Sequence, residues 1–116
     1  MRTILAAVTD LLFQSRLREQ ASALGYDFVA ADAGDALRHA LTARPCLLVL
    51  DLHVVGVDWR EAVSAAKEQG VPVLAFGRHT EPALLRAARE AGCDRVVPRS
   101  TLVEKLSELL GEGRSG

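Results

Sequence analysis

An α/β fold built on a doubly wound, five-stranded parallel sheet is predicted by three features of the chain. Short apolar runs alternate with amphipathic stretches, the connections between them are short, and glycine or proline closes most of the amphipathic stretches. Residues 4–8 read as the first strand. Residues 10–24 read as a helix with Leu17, Ala21 and Leu24 on one face, stopped by Gly25, which accepts a left-handed cap. Residues 27–31 form a second, weaker strand. Residues 35–43 form a short helix with Leu37 and Leu41 four apart, ended by Arg44-Pro45 because the residue before proline avoids the helical region. The run Leu47-Leu48-Val49-Leu50 is the most apolar strand and is placed at the centre of the sheet. Residues 59–69 are a helix with Ala62, Val63 and Ala66 inward, closed by Gly70. Residues 71–76 are the fourth strand, 82–91 a helix with Pro82 in its first turn, and 95–97 a short fifth strand. Residues 101–110 are the fifth helix, opened by Thr101 and Glu104 in capping-box spacing.

Five βα units with short right-handed crossovers give a sheet covered on both faces, and five strands in this length fit the flavodoxin-like order 2-1-3-4-5. One domain over residues 1–110 is expected, with 111–116 as a flexible tail or the start of a linker. The chain has 116 residues, 49% of them apolar and 25% charged, which excludes a disordered polymer. Fourteen basic against fifteen acidic residues leave no electrostatic footprint for nucleic acid or an anionic membrane. No apolar run approaches the roughly 20 residues of a membrane span, and Thr9-Asp10 interrupts the first apolar stretch before a secretory core forms. A cytoplasmic location is expected. Cys46 and Cys93 have neither CxxC nor zinc-ligand spacing and read as small buried apolar residues.

Open parallel sheets place their chemistry where the strands end, next to the point at which the strand order reverses. That point falls between the ends of strands 1 and 3, at Thr9 and Asp51. Asp51 ends a buried strand and precedes a glycine-containing loop, Leu52-His53-Val54-Val55-Gly56-Val57-Asp58.

With these residues in place, the chain resembles a response-regulator receiver domain of two-component signalling over nearly its whole length. The resemblance is carried by Ile4-Leu5, Leu24-Gly25, Ala31-Asp32-Ala33-Gly34-Asp35-Ala36-Leu37, Pro45 through Leu52, Gly56-Val57-Asp58, Val71-Pro72-Val73-Leu74, Ala91-Gly92-Cys93 and Val97-Pro98-Arg99-Ser100. It implies that Asp51 is the phosphoacceptor position. It also implies what is missing. The two Mg²⁺-binding acids of the family fall at Val8 and Thr9, its switch hydroxyl at Gly77, and its phosphoryl-binding lysine at Arg99. The family's loop proline is Val55, and its small residue after Asp58 is Trp59.

Phosphoryl transfer to a carboxylate brings two anions together, and Mg²⁺ neutralises the approach. Valine offers a metal nothing and threonine only a neutral hydroxyl, so neither metal nor cofactor is expected. Asp10 is assigned to the helix N-terminus, where a carboxylate meets unpaired N–H groups. Three readings of Asp51 stay open: a structural role, as an ion pair with Arg99, whose guanidinium grips a carboxylate bidentately, or as a helix-end acceptor; a live phosphoacceptor; or part of an unrelated ligand site. Arg78 is read as a solvated loop residue, with the rim of the site as the lesser reading, and Trp59 as packing on the loop beside the site.

A motif from another class competes. Asp51-Leu52-His53-Val54-Val55-Gly56 spells D-x-H-x-x-G, which resembles the loop supplying histidine to cobalt in cobalamin-binding domains. There the loop follows the first strand, whereas here two βα units precede it, so His53 is read as a solvated loop residue. A flavodoxin-type flavin site is disfavoured because residues 9–16 are not a hydroxyl-rich phosphate loop.

The sequence thus points to a degenerate receiver, a pseudo-receiver that is a signalling interaction module and not an enzyme. A functional phosphoacceptor on Asp51 is the alternative. Its partners would be signalling proteins, a histidine kinase or an output partner. Arg86, Arg89, Glu90, Asp94, Arg95, Glu104 and Glu108 give the fourth helix, fifth strand and fifth helix mixed charges suited to self-complementary pairs in a two-fold homodimer.

Overall fold

The computed structural model of the chain describes residues 2–111. Five strands, β1 (Thr3–Ala7), β2 (Asp27–Ala30), β3 (Leu47–Asp51), β4 (Val73–Gly77) and β5 (Arg95–Pro98), form one parallel sheet in the order β2-β1-β3-β4-β5. Between and after them run α1 (Leu11–Ala23), α2 (Gly34–Thr42), α3 (Trp59–Glu68), α4 (Pro82–Glu90), α5 (Arg99–Glu104) and α6 (Leu106–Gly111).

The period of two along each strand divides the core. Leu5, Ala7, Leu48, Leu50, Val73 and Ala75 face one way and pack on Leu37 and Leu41 of α2, Ala62, Val63 and Ala66 of α3, and Leu85 and Ala88 of α4. Ile4, Ala6, Val49, Leu74, Phe76 and Val97 face the other way, onto Phe13, Leu17 and Ala21 of α1 and Leu102, Leu106, Leu109 and Leu110 of α5 and α6. A strand buried on both faces must be apolar throughout, and β3 and β4 are buried at every residue. β2, at the sheet edge, alternates exposed and half-buried positions, which is why its signal is weak.

The register brings the functional end together. Ala7 pairs with Leu50, Asp51 with Phe76, and Gly77 with Pro98. Asp51 is therefore the last residue of β3, flanked by the ends of β1 and β4.

Two expectations need correction. The last helix is not continuous: Lys105 takes φ −116° and ψ 26°, splitting it into α5 and α6, so the described residues hold six helices and not five. The N–H groups of Lys105 and Leu109 still reach the carbonyls of Thr101 and Lys105, at 3.0 and 2.8 Å, so the chain bends without reversing. The helix also begins at Arg99, two residues before the expected capping box, with Pro98 at the cap and no side-chain bond there. Residues 112–116, most of the predicted tail, lie outside the described residues. Among the described residues no helix is long and apolar enough to cross a membrane.

Candidate functional site

Asp51 is the buried polar residue of the sheet, 6% exposed. Its Oδ1 accepts the backbone N–H of His53 at 2.8 Å, and its carbonyl accepts the N–H of Val54 at 3.0 Å, which turns the chain sharply out of β3. Above the carboxylate lies a small cavity of about 70 Å³ lined by Asp51, His53, Phe76, Gly77, Arg78 and Arg99. The fold thus gathers Asp51, Gly77 and Arg99 from the predicted site and adds His53, Phe76 and Arg78.

The predicted Asp51–Arg99 ion pair is not formed. Arg99 Nη2 instead donates to Asp10 Oδ2 at 2.9 Å, and its guanidinium lies over the Phe13 ring, 4.8 Å from the centroid. The physical reason is solvation. Asp10 and Arg99 side chains are each 44% exposed, so their pair forms without stripping either charge of water, whereas pairing with Asp51 would draw the guanidinium into a buried site. Asp10 also caps α1, its Oδ1 accepting the N–H groups of Leu12 at 3.0 Å and Phe13 at 3.2 Å. The hydrogen bond from Arg99, aided by those amides, holds the Asp10 carboxyl below its ordinary range. Its assignment to the helix N-terminus is correct, and its engagement with Arg99 was not foreseen.

Val8 is wholly buried in the α1 side of the core. Thr9 Oγ1 accepts the N–H of Val55 at 2.8 Å and so fastens the loop after β1 to the loop after β3. That second loop is pressed down at Gly56, whose φ of +86° suits glycine; a Cβ there would stand 2.6 Å from the Asp32 carbonyl oxygen. At Gly77 a Cβ would meet Leu85 Cδ2 at 3.2 Å and Leu52 Cδ1 at 3.4 Å. A side chain at the switch position would crowd two core leucines at its Cβ.

His53 is not merely a solvated loop residue. Its Nε2 lies 3.2 Å from Glu81 Oε1, and Arg78 Nη1 approaches the same oxygen at 3.6 Å. Glu81 went unnoticed in the sequence. It occupies the N-cap position of α4 but makes no side-chain cap bond, leaving its carboxylate to bridge the two loops. Trp59 packs against the α2–α3 side of the core, carries the Arg60 guanidinium 4.4 Å over its ring, and does not line the Asp51 cavity.

Among the residues predicted as an interaction surface, Arg86, Arg89, Glu90, Asp94, Arg95, Glu104 and Glu108 are all exposed. Glu104 borders a concavity with Arg78 and Arg99 at the rim of the Asp51 site, while Glu108 lines a groove against Arg16 and Glu19 of α1. Asp94 is engaged within the molecule, its Oδ2 accepting from Lys67 Nζ at 2.8 Å and from the Val73 N–H at 2.7 Å. Partial burial pushes its pKa up, but the Lys67 and Val73 hydrogen bonds outweigh that and leave it lowered. The cysteines are half-buried and unpaired with each other. Burial, with the neighbouring Asp94 charge, pushes the Cys93 thiol up to about 11.

These donors do not fit Mg²⁺. The ion demands near-octahedral oxygen ligation, and at this cavity only Asp51 offers a carboxylate; Val8 is apolar, the Thr9 hydroxyl accepts an amide, and Asp10 is held by Arg99. Among the described residues no group of three or more His, Cys, Asp or Glu side chains could hold a metal ion.

No family model matches the sequence, and no curated protein matches it. Solved structures do match in fold. The receiver domain of NtrX from Brucella abortus is 19% identical with a TM-score of 0.81, over 95% of this chain and 96% of that one. The receiver domain of the Francisella response regulator 1452 is 14% identical with a TM-score of 0.81, over 100% of both chains. The chemotaxis response regulator CheY4 of Vibrio cholerae is 21% identical with a TM-score of 0.75, over 93% of this chain and 98% of that one. At such identities the likeness is one of fold, and the chain has the flavodoxin-like fold of response-regulator receiver domains.

Proposed function

We propose that this chain is a receiver-like signalling module that acts by protein–protein contact in a fixed conformation, as a pseudo-receiver and not an enzyme. The observation that carries the reading is the disposition of Arg99. The cation at the family's phosphoryl-binding position borders the Asp51 cavity but is tied to Asp10 and stacked on Phe13, with no bond to Asp51. The absence of an acid pair at Val8 and Thr9 and of a hydroxyl at Gly77, where a Cβ would crowd two leucines, support it, because metal, hydroxyl and cation are the three groups through which a phosphoryl group would be held and sensed. Partners would be signalling proteins, a histidine kinase or an output protein, met through the exposed charges of α4, β5 and α5, in a cytoplasmic setting, with no nucleic acid or membrane involved.

One observation favours the alternative, a working phosphoacceptor. Asp51 is buried at its strand end with no cation bonded to it, beneath a cavity whose wall includes two arginines. The test is incubation with acetyl phosphate and Mg²⁺, followed by acid-quenched mass spectrometry and by amide NMR of the folded chain. The expected result is an unmodified protein with an unchanged spectrum. A phosphate adduct that disappears in Asp51→Asn would replace the pseudo-receiver reading with the phosphoacceptor.

A further inference from the structure

A feature that this reading leaves unused lies at the opposite end of the sheet. A groove of about 750 Å³ opens where β1, β3, β4 and β5 begin, far larger than the cavity over Asp51 and sharing no residue with it. Its walls are largely apolar, with Pro45, Leu47, Val71, Pro72 and Leu109 among them. Three arginines, Arg2, Arg44 and Arg95, border it against one acid, Asp94, which Lys67 and the Val73 amide already engage. A concave apolar surface of several hundred cubic ångströms with a few polar groups around it is the usual form of a small-molecule site.

The backbone singles out Arg44. Four helices of this chain are followed by a left-handed residue whose N–H returns to the carbonyl three residues back. After α1, α3 and α4 that residue is glycine: Gly25, Gly70 and Gly92, at φ 85°, 70° and 106°. After α2 it is Arg44, at φ 52°. A side chain in this conformation carries a steric cost that glycine avoids. Arg44 accepts that cost at the one helix end that borders the groove with a cation. The Arg2 charge reaches the same wall: burial raises the Cys46 thiol, and Arg2 acts against that rise. Arg2 and Arg95 have interactions of their own, so they contribute field, and the argument for a direct contact rests on Arg44.

We propose that this groove binds a small amphipathic anion, its apolar body against Leu47, Val71 and Leu109 and its acid group at the Arg44 guanidinium. The site is independent of the Asp51 chemistry and stands whether or not the pseudo-receiver reading does.

The test is amide NMR of the full chain titrated with sodium octanoate, and with octanamide as its neutral counterpart. Saturable shifts are expected at Cys46, Gly70 and Val71 in the millimolar range, with octanamide weaker by about tenfold, the worth of one charge-assisted contact. Arg44→Gly should weaken octanoate by a similar factor while its urea midpoint holds or rises, and Arg44→Lys should retain binding. Absence of saturable shifts at these amides would overturn the site. Equal binding of octanamide, or of octanoate to Arg44→Gly, would overturn the role of the charge. A fall in the midpoint of Arg44→Gly would show that the arginine is kept for packing and overturn the argument from the backbone.

Discussion

Asp51 is buried with a single backbone N–H as its hydrogen-bond partner, and a charge so placed is a liability to the fold. Asn keeps the acceptor for the His53 amide and removes the charge. Asp51→Asn is therefore expected to stabilise the chain by about 1 kcal/mol, since the bond to His53 survives while desolvation of an ion is relieved. A urea midpoint lower than that of the parent protein would contradict this. Arg99 supplies a second prediction. Double-mutant cycles should show coupling between Arg99→Ala and Asp10→Ala, small because both side chains are hydrated, and additivity between Arg99→Ala and Asp51→Ala. Coupling to Asp51 alone would restore the ion pair that the geometry denies. The position of Asp51 was legible in the sequence because a buried strand ending in a carboxylate is a local pattern. The partner of Arg99 was not. Asp10 lies 89 residues away, and the choice between two carboxylates turns on which is already out of water, a property of the assembled fold.

At the scale of elements, the two loops that frame the site are fixed by close approach. Gly56→Ala must strain φ +86° and meet the Asp32 carbonyl at 2.6 Å, so backbone of one loop has to leave backbone of the other. A loss of about 2 kcal/mol is expected, read as a lower urea midpoint with the transition slope unchanged. Gly77→Thr tests whether the switch position can be refilled. Its Cβ would crowd Leu85 and Leu52, and its two further heavy atoms deepen the overpacking, at a cost of about 1–3 kcal/mol. Stability equal to the parent would show that the leucines yield and that the hydroxyl can be restored. The strands and the apolar faces of the helices were readable because the periodicity of apolar residues dictates them. The break at Lys105 was not, since neither proline nor glycine marks it. Nor was the bridge from His53 and Arg78 to Glu81, because it joins loops that the parallel sheet brings together only after β3 and β4 have paired.

Across the whole molecule, two carboxylates fasten elements distant in sequence. Asp10 ties the start of α1 to Arg99 at the start of α5, and Asp94 ties β5's approach to Lys67 of α3 and to the first amide of β4. Both have folded pKa values below the ordinary 3.8. A carboxyl whose pKa is depressed on folding contributes stability that is complete above the unfolded value and is lost as pH falls through the folded one. The chain is therefore expected to hold a steady urea midpoint from pH 7 down to about 5, and to lose it progressively below about 4. The loss from these two groups should be modest, because the four side chains are 40–47% exposed and water screens them. Asp94 is the better probe, since its second bond, from the Val73 amide, closes the sheet and is less exposed than the ion pair. Asp94→Asn should start less stable at neutral pH, and its acid profile should be flatter than that of the parent. Added salt at neutral pH should narrow the gap only in part, because it screens Lys67 and leaves the amide bond in place. If Asp94→Asn instead falls as steeply as the parent below pH 4, the acid sensitivity belongs to other carboxylates, and the tether from α3 to the sheet has no share in it.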